Sequence, residues 1–304
     1  MICKKPFRAG TVTFGCGQCL PCRINKQRLW SHRIVLESFK HDNSSFITLT
    51  YSDEHLPKGG TLVPKHTQDW LKRLRSRFSE TKFRYFLVGE YGDQFGRPHY
   101  HAALYGYPAC FDVTSSVNRR IQCKCESCRP ILETWGKGRV SVDRLEPNSA
   151  SYIAGYVTKK LTNKNDPKVK EQLGDRHPEF ARMSLKPGIG APAVEELARV
   201  IEEFGDCALD DGDVFKTLQH GKKKLPLGRY LTTKLRKEIG LEDQKEIQFK
   251  KFLEEKYEEG MLLQQQNPTK TQYEEAIRKL KEKDQQVIKN IEKRFEIFKK
   301  NGDV

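Results

Sequence analysis

The run Arg97-Pro98-His99-Tyr100-His101 sets two imidazoles two residues apart. In an extended strand, residues i and i+2 point to one face, so His99 and His101 would stand side by side as half of a divalent-metal site. Pro98 is tolerable there because it opens the strand. Glu90 ends the preceding strand-like run, and the turn Gly92 to Gly96 folds that run back, so its carboxylate can approach the same face. Two histidines and a carboxylate leave coordination positions open for water and a phosphate oxygen. Histidines that hold no metal are the alternative, and the pair alone does not decide.

A second constellation follows in Ser151-Tyr152-Ile153-Ala154-Gly155-Tyr156-Val157-Thr158-Lys159-Lys160. On a helix, Tyr152 and Tyr156 share one face, with Lys159 and Lys160 on or beside it as candidate phosphate contacts. A phenol attacks phosphorus usefully only as phenolate, and reaching it at neutral pH costs about 4 kcal/mol from a reference pKa near 10. A neighbouring cation or metal can supply that electrostatically. Attack would leave a 5′-phosphotyrosine link and a free 3′-hydroxyl, and a second tyrosine on the same face could later repeat the cleavage. The alternative is a pair of core tyrosines with hydroxyls at the helix rim.

These groups need elements to hold them. Arg23 to His41 reads as a helix, Phe46 to Tyr51 as a strand in which Phe46, Thr48 and Thr50 alternate with Ile47, Leu49 and Tyr51, and Pro64 to Phe78 as a helix. Phe83 to Tyr91, His99 to Tyr105 and Arg139 to Leu145 are further strands, and Ser149 to Leu161 a second core helix. The order β-α-β-β, then β-α, predicts an α+β fold with an antiparallel sheet and helices on one face. The organisation expected is a Cys-containing segment and helix over 1–45, a nicking core over 46–165, a basic accessory region over 166–240, and a charged helical extension over 241–304. In that extension Tyr273, Ile277, Leu280, Val287, Ile291 and Phe298 fall near a heptad stripe, either packing on their own domain or pairing with a second copy.

The formal charge of +15 points to a polyanionic partner, nucleic acid before an acidic membrane. No apolar run approaches a membrane span and the opening MICKKPFRAG has no apolar h-region, so a cytoplasmic protein is expected. Its Cys residues then read as thiols or metal ligands, not disulfides. Cys123-x-Cys125-x-x-Cys128, with Cys110 as a fourth, has the spacing of a structural zinc site. Cys16-x-x-Cys19-x-x-Cys22, with Cys3, is equally open to zinc or to reduced thiols. Arg97 joins Lys159 and Lys160 as a DNA-binding candidate. Arg73, Arg75, Arg77 and the basic cluster from Lys222 to Lys237 are either solvated faces or phosphate contacts. Tyr51, Tyr100 and Tyr230 are candidate platforms for base stacking.

The strand Phe46 to Tyr51, the run Gly89-Glu90-Tyr91-Gly92 continuing to His101, and Tyr152 to Lys160 resemble the three motifs of rolling-circle replication initiators of the HUH endonuclease class, in particular those of gokushoviruses, small single-stranded DNA phages. Gly15 to Arg23, Met183-Ser184 with Pro187 to Gly190, and Leu227 to Tyr230 are similar to that family too, so the resemblance covers roughly residues 14 to 235. It implies a five-stranded antiparallel sheet flanked by helices, with a mainly helical C-terminal extension. It implies Mg²⁺ or Mn²⁺ at His99 and His101, with Glu90 as third ligand, and Tyr152 and Tyr156 as nucleophiles that nick and rejoin an origin in single-stranded or replicative-form DNA. The setting implied is the cytoplasm of a bacterial host. A host polymerase and helicase would extend and unwind, since the chain carries no Walker-type P-loop. The competing expectations are a non-enzymatic single-stranded nucleic-acid binder and a zinc-dependent DNA-binding regulator.

Overall fold

The structure, a computed structural model, describes residues 3–9, 12–92, 95–111, 122–156, 171–205, 209, 213–241, 278, 282–283 and 285–296. In chain order the strands are β1 (Phe7–Ala9), β2 (Val12–Phe14), β3 (Ser44–Thr50), β4 (Arg84–Tyr91), β5 (Pro98–Tyr105), β6 (Val140–Arg144), β7 (Phe180–Met183), β8 (Thr217–His220) and β9 (Lys223–Pro226). The helices used below are α1 (Leu20–Ser38), α2 (Pro64–Arg77), α3 (Cys128–Trp135), α4 (Pro147–Tyr156), α5 (Val194–Phe204) and α6 (Gly228–Glu238). The chain divides into two compact units. One comprises Lys26–Leu197 with Lys216–Leu231, the other Met1–Asn25, Ala198–Phe215 and Thr232–Val304.

The first unit is built on a five-stranded antiparallel sheet in the order β6-β3-β5-β4-β7. This is an α+β arrangement with flanking helices, as the sequence predicts, but the helices cover both faces where one was expected. On one face Ile47, Leu49, Leu87, Tyr100, Ala102, Leu104, Val140 and Val142 pack with Trp70, Leu71 and Leu74 of α2 and with Ile131 and Trp135 of α3. On the other, Phe86, Val88, Ala103 and Tyr105 pack with Ile34 of α1 and with Ala150, Ile153 and Ala154 of α4. The reason is visible in the central strands: β4 is buried continuously from Phe86 to Tyr91, and a strand without a solvated side needs cover on both. Strand β3, by contrast, shows the strict alternation of a half-covered strand.

Two elements are not legible in the sequence pattern. Strand β7 is a short edge whose residues are all half-buried, so it carries no period. It pairs Phe180 with Gly89, and the Phe180 ring lies 2.6 Å from where a Cβ on Gly89 would sit, which is why glycine occupies that position. Helix α3 lies inside a stretch read only for its cysteines. The basic stretch after Gly221 contributes strand β9 and helix α6. Residues 285–296 of the C-terminal region are helical, with Ile288 buried and Val287 and Ile291 half-buried. Tyr273, Ile277, Leu280 and Phe298 lie outside the described residues.

The α1 side of the sheet is tied down by a buried charge. Glu37 receives the Arg84 guanidinium on one oxygen and the backbone N–H of Gly190 at 2.5 Å on the other. Burial by itself would raise its pKa. The hydrogen bonds from His41, Arg84 and Gly190 outweigh that and hold it below the ordinary carboxylate value. Because the folded pKa is the lower one, the contribution is fully present above the unfolded value of about 4.3 and is lost as pH falls through the folded value. Glu37→Ala is expected to cost about 3 kcal/mol by leaving Arg84 without its counter-charge. It should also remove the part of the acid-limb slope that this group contributes to chemical denaturation between pH 3 and 6, roughly the window around the carboxylate pKa.

Candidate active site

The site is assembled by strand register. On β5, Tyr100, Ala102 and Leu104 point to the α2–α3 side, so His99, His101, Ala103 and Tyr105 point to the α1–α4 side. Antiparallel pairing sets Glu90 of β4 opposite His99, and on the other flank sets Thr48 and Thr50 of β3 opposite His101 and His99. The hairpin that returns β4 into β5 has no room to spare: a Cβ on Gly92 would stand 3.3 Å from the His99 ring. One ligand atom from each of Glu90, His99 and His101 lies within 4.8 Å of the others.

Their hydrogen bonds define what the group can hold. His99 Nδ1 lies 3.1 Å from the Arg97 carbonyl, which can only accept, so that nitrogen carries a hydrogen. The Nε2 lone pair then faces Glu90 Oε1 at 2.6 Å, two acceptors that need a proton or a cation between them. His101 repeats the arrangement, with Nε2 at 3.0 Å from the same Oε1 and Nδ1 at 3.0 Å from Thr48 Oγ1. Glu90 is almost wholly buried. Burial raises its pKa, but the His101 and His99 contacts dominate and bring it to about 2, so the carboxylate is held as an anion. A buried anion with two imidazole nitrogens converging on one oxygen is a donor set that suits a divalent ion accepting N and O ligands.

The tyrosines arrive on α4, whose small inner residues Ala150 and Ala154 let it lie close across β4 and β5. Gln27 of α1 fixes this helix through a 3.0 Å bond from its side-chain amide to the Ser151 carbonyl. Tyr152 and Tyr156 have ring centroids 5.0 Å apart, and both reach His101, at 5.2 Å and 6.0 Å respectively. Phe46 stacks on His101 at 5.4 Å and meets Tyr152 edge-on. Tyr152 is 43% exposed, so one phenol stands open to a substrate while its ring is seated.

Thr48 and Phe46 are the residues that sequence reasoning did not single out for the site. Alternation had put both on the face opposite Ile47 and Leu49, but only the register names His101 as their neighbour. Thr48→Val keeps the shape and removes the partner of His101 Nδ1. It is expected to weaken divalent-metal affinity about 10- to 100-fold, read by Mn²⁺ titration calorimetry.

The remaining candidates separate. Cys110, Cys123, Cys125 and Cys128 converge, as do Cys3, Cys16, Cys19 and Cys22, each group with sulfurs within 4.8 Å. Arg97 bonds Asp53 at 2.7 Å and the Tyr51 carbonyl at 3.1 Å. Arg73 donates to the Thr134 carbonyl and Arg77 pairs with Glu133, so both join α2 to α3. Tyr51 and Tyr100 are not stacking platforms: both are buried, joined hydroxyl to hydroxyl at 2.9 Å, because the alternation that exposes His99 and His101 sends Tyr100 into the core. Tyr230 lies under the Arg33 guanidinium and accepts a bond from Gly188 N–H. Lys159 and Lys160 lie outside the described residues.

Residues 44–161, which contain every member of this site, match the family model for replication-associated proteins of the ORF2 type. Replication-associated protein VP4 of Bdellovibrio phage phiMH2K is 32% identical over 208 residues, covering 66% of this chain and 64% of that protein. Replication-associated protein ORF2 of Spiroplasma virus 4 is 28% identical over 294 residues, 94% of this chain and 86% of that protein. Replication-associated protein ORF4 of Chlamydia phage 1 is 30% identical over 155 residues, 48% of this chain and 38% of that protein. No solved structure matches. The chain belongs to the family of ORF2-type replication-associated proteins, among relatives from Microviridae.

Proposed function

We propose that this protein initiates rolling-circle replication by nicking and rejoining one strand of a phage DNA origin through tyrosine attack. The observation that supports it most is the contact of both Tyr152 and Tyr156 with His101, a member of the Glu90, His99 and His101 group. A core helix with rim tyrosines has no reason to set two phenols against a converging donor set.

Glu90, His99 and His101 would hold Mg²⁺ or Mn²⁺, which when bound supplies Lewis-acid stabilisation of charge on the scissile phosphate. Thr48 and the Arg97 carbonyl keep the imidazoles oriented with Nε2 inward. One tyrosine oxygen bonds to phosphorus while the bond from phosphorus to the 3′ oxygen breaks. The phenol gives up its proton and the 3′ oxygen ends as a free hydroxyl that can prime synthesis. The link preserves the phosphodiester energy, so a second phenol on the same helix face can cleave the regenerated site while the first end is rejoined. Arg97, Lys159 and Lys160 would contact the DNA backbone. Host helicase and polymerase, and the bacterial cytoplasm, are the partners and setting this role requires.

Zinc at Cys110, Cys123, Cys125 and Cys128 would be structural. The spacings of 3.8 Å for Cys110–Cys123 and 3.6 Å for Cys110–Cys125 suit a tetrahedral site, whose edge is about 3.8 Å for Zn–S bonds of about 2.3 Å. The group seats the start of α3, whose Trp135 donates to the Thr50 carbonyl beside the site.

The test incubates the full chain with a labelled single-stranded oligonucleotide spanning the phage origin. A denaturation-resistant protein–DNA band that requires Mg²⁺ or Mn²⁺ is expected. Binding of the oligonucleotide with no covalent band under any divalent ion would favour the non-enzymatic binder instead.

A further inference from the structure

The second unit contains a feature that the nicking site does not use. Strands β1 and β2 form a hairpin in which Phe7 is directly opposite Phe14. Cys3 precedes the hairpin, Cys16 and Cys19 follow it, and Cys22 sits in the first turn of α1. A two-stranded hairpin of three residues per strand is not stable by itself. Its ends are gathered by sulfur: Cys19 Sγ is 3.8 Å from Cys3 Sγ, and all four thiols lie within 4.8 Å. That separation is far beyond an S–S bond of about 2.05 Å and close to the edge of about 3.8 Å of a tetrahedral zinc–thiolate site. Backbone N–H groups already point at the sulfurs, from Cys16 to Cys3 at 3.2 Å, from Cys19 to Cys16 at 3.3 Å and from Lys4 to Cys19 at 3.4 Å. Such bonds stabilise thiolates and orient ligands around an ion.

The hairpin so held carries an unusual surface. Phe7 is 55% and Phe14 41% exposed, and their rings stack at 5.5 Å with 22° between planes. Large apolar rings in water are unfavourable unless something covers them. Exposed Lys4 and Lys5 stand just before Phe7, in a chain carrying +15, so a polyanion with flat apolar faces is the complementary occupant. A single-stranded nucleic acid has both properties, and bases stack on aromatic side chains without sequence preference.

We propose that Cys3, Cys16, Cys19 and Cys22 hold a zinc ion, and that the hairpin it pins presents Phe7 and Phe14 as a stacking platform for bases of single-stranded DNA. The platform is a second DNA contact, made of residues other than those of the nicking site, and rests on the proposed function only for the source of the strand. Two measurements on the full chain test it. Zinc content by plasma mass spectrometry should fall by one ion per chain in Cys16→Ser/Cys19→Ser. An unchanged content overturns the metal site. Phe7→Ala/Phe14→Ala leaves the thiols intact and should keep its zinc, yet bind labelled oligothymidylate roughly tenfold or more weakly, measured by anisotropy without added Mg²⁺ or Mn²⁺. Unchanged affinity overturns the platform, as does a loss of self-association with DNA affinity intact, which would assign the rings to a contact between copies. Tyr152→Phe/Tyr156→Phe should bind oligothymidylate as wild type does, so failure of the nicking proposal and failure of this one give different results.

Discussion

Tyr152→Phe/Tyr156→Phe is expected to lower covalent attachment to an origin oligonucleotide by at least about 10⁴-fold, the scale on which removal of a nucleophile acts. Only two oxygens are lost. The rings remain, so the packing of Phe46, His101, Tyr152 and Tyr156 persists and thermal stability should change by less than about 1 kcal/mol. Each single variant separates the two roles. Whichever tyrosine performs the first cleavage will abolish the adduct alone, while loss of the other will allow nicking and block the second transfer. Mass spectrometry of the trapped peptide identifies the linked residue. Persistence of the adduct in the double variant would remove the helix from the chemistry altogether.

His101→Ala is expected to reduce adduct formation by at least about 10³-fold, more than the 10- to 100-fold typical of a residue that merely orients a ligand. His101 combines a nitrogen facing Glu90 with a ring that both tyrosines touch, so its removal acts on two parts of the site. It also leaves Glu90, a buried carboxylate, with one imidazole where it had two, at a cost of about 1–3 kcal/mol. His99→Ala should act in the same direction. The discriminating readout is Mn²⁺ binding by electron paramagnetic resonance, with oligonucleotide binding measured in parallel. Loss of metal with retained DNA binding is expected. Full activity with metal affinity unchanged would show that the donor set is not the metal site.

Much of this could be read from the chain before any fold was known. Period two in β5 put His99 and His101 on one face, and a three-to-four spacing in α4 did the same for Tyr152 and Tyr156. These are properties of single elements, set by backbone geometry. The cysteine spacings were legible for the same reason, because ligands two or three residues apart in a turn converge locally. What failed to show were features without a local period. Strand β7 is four half-buried residues at an edge, and it exists because β4 needed a neighbour. The burial of Tyr100 followed from alternation, but its role as a core residue bonded to Tyr51 required α2 and α3 to cover that face.

The sequence by itself therefore determined which side chains share a face of their own strand or helix, and with that the chemical types available: imidazoles, a carboxylate, phenols and thiols. Tertiary structure alone decided which faces meet. The β3–β5–β4 register, a matter of long-range hydrogen bonding, chose Thr48 and Glu90 as the neighbours of His101 and His99. The packing of a small-residue helix face onto the sheet brought the tyrosines to His101. No window of sequence encodes either choice, because each results from burying apolar surface contributed by segments far apart in the chain.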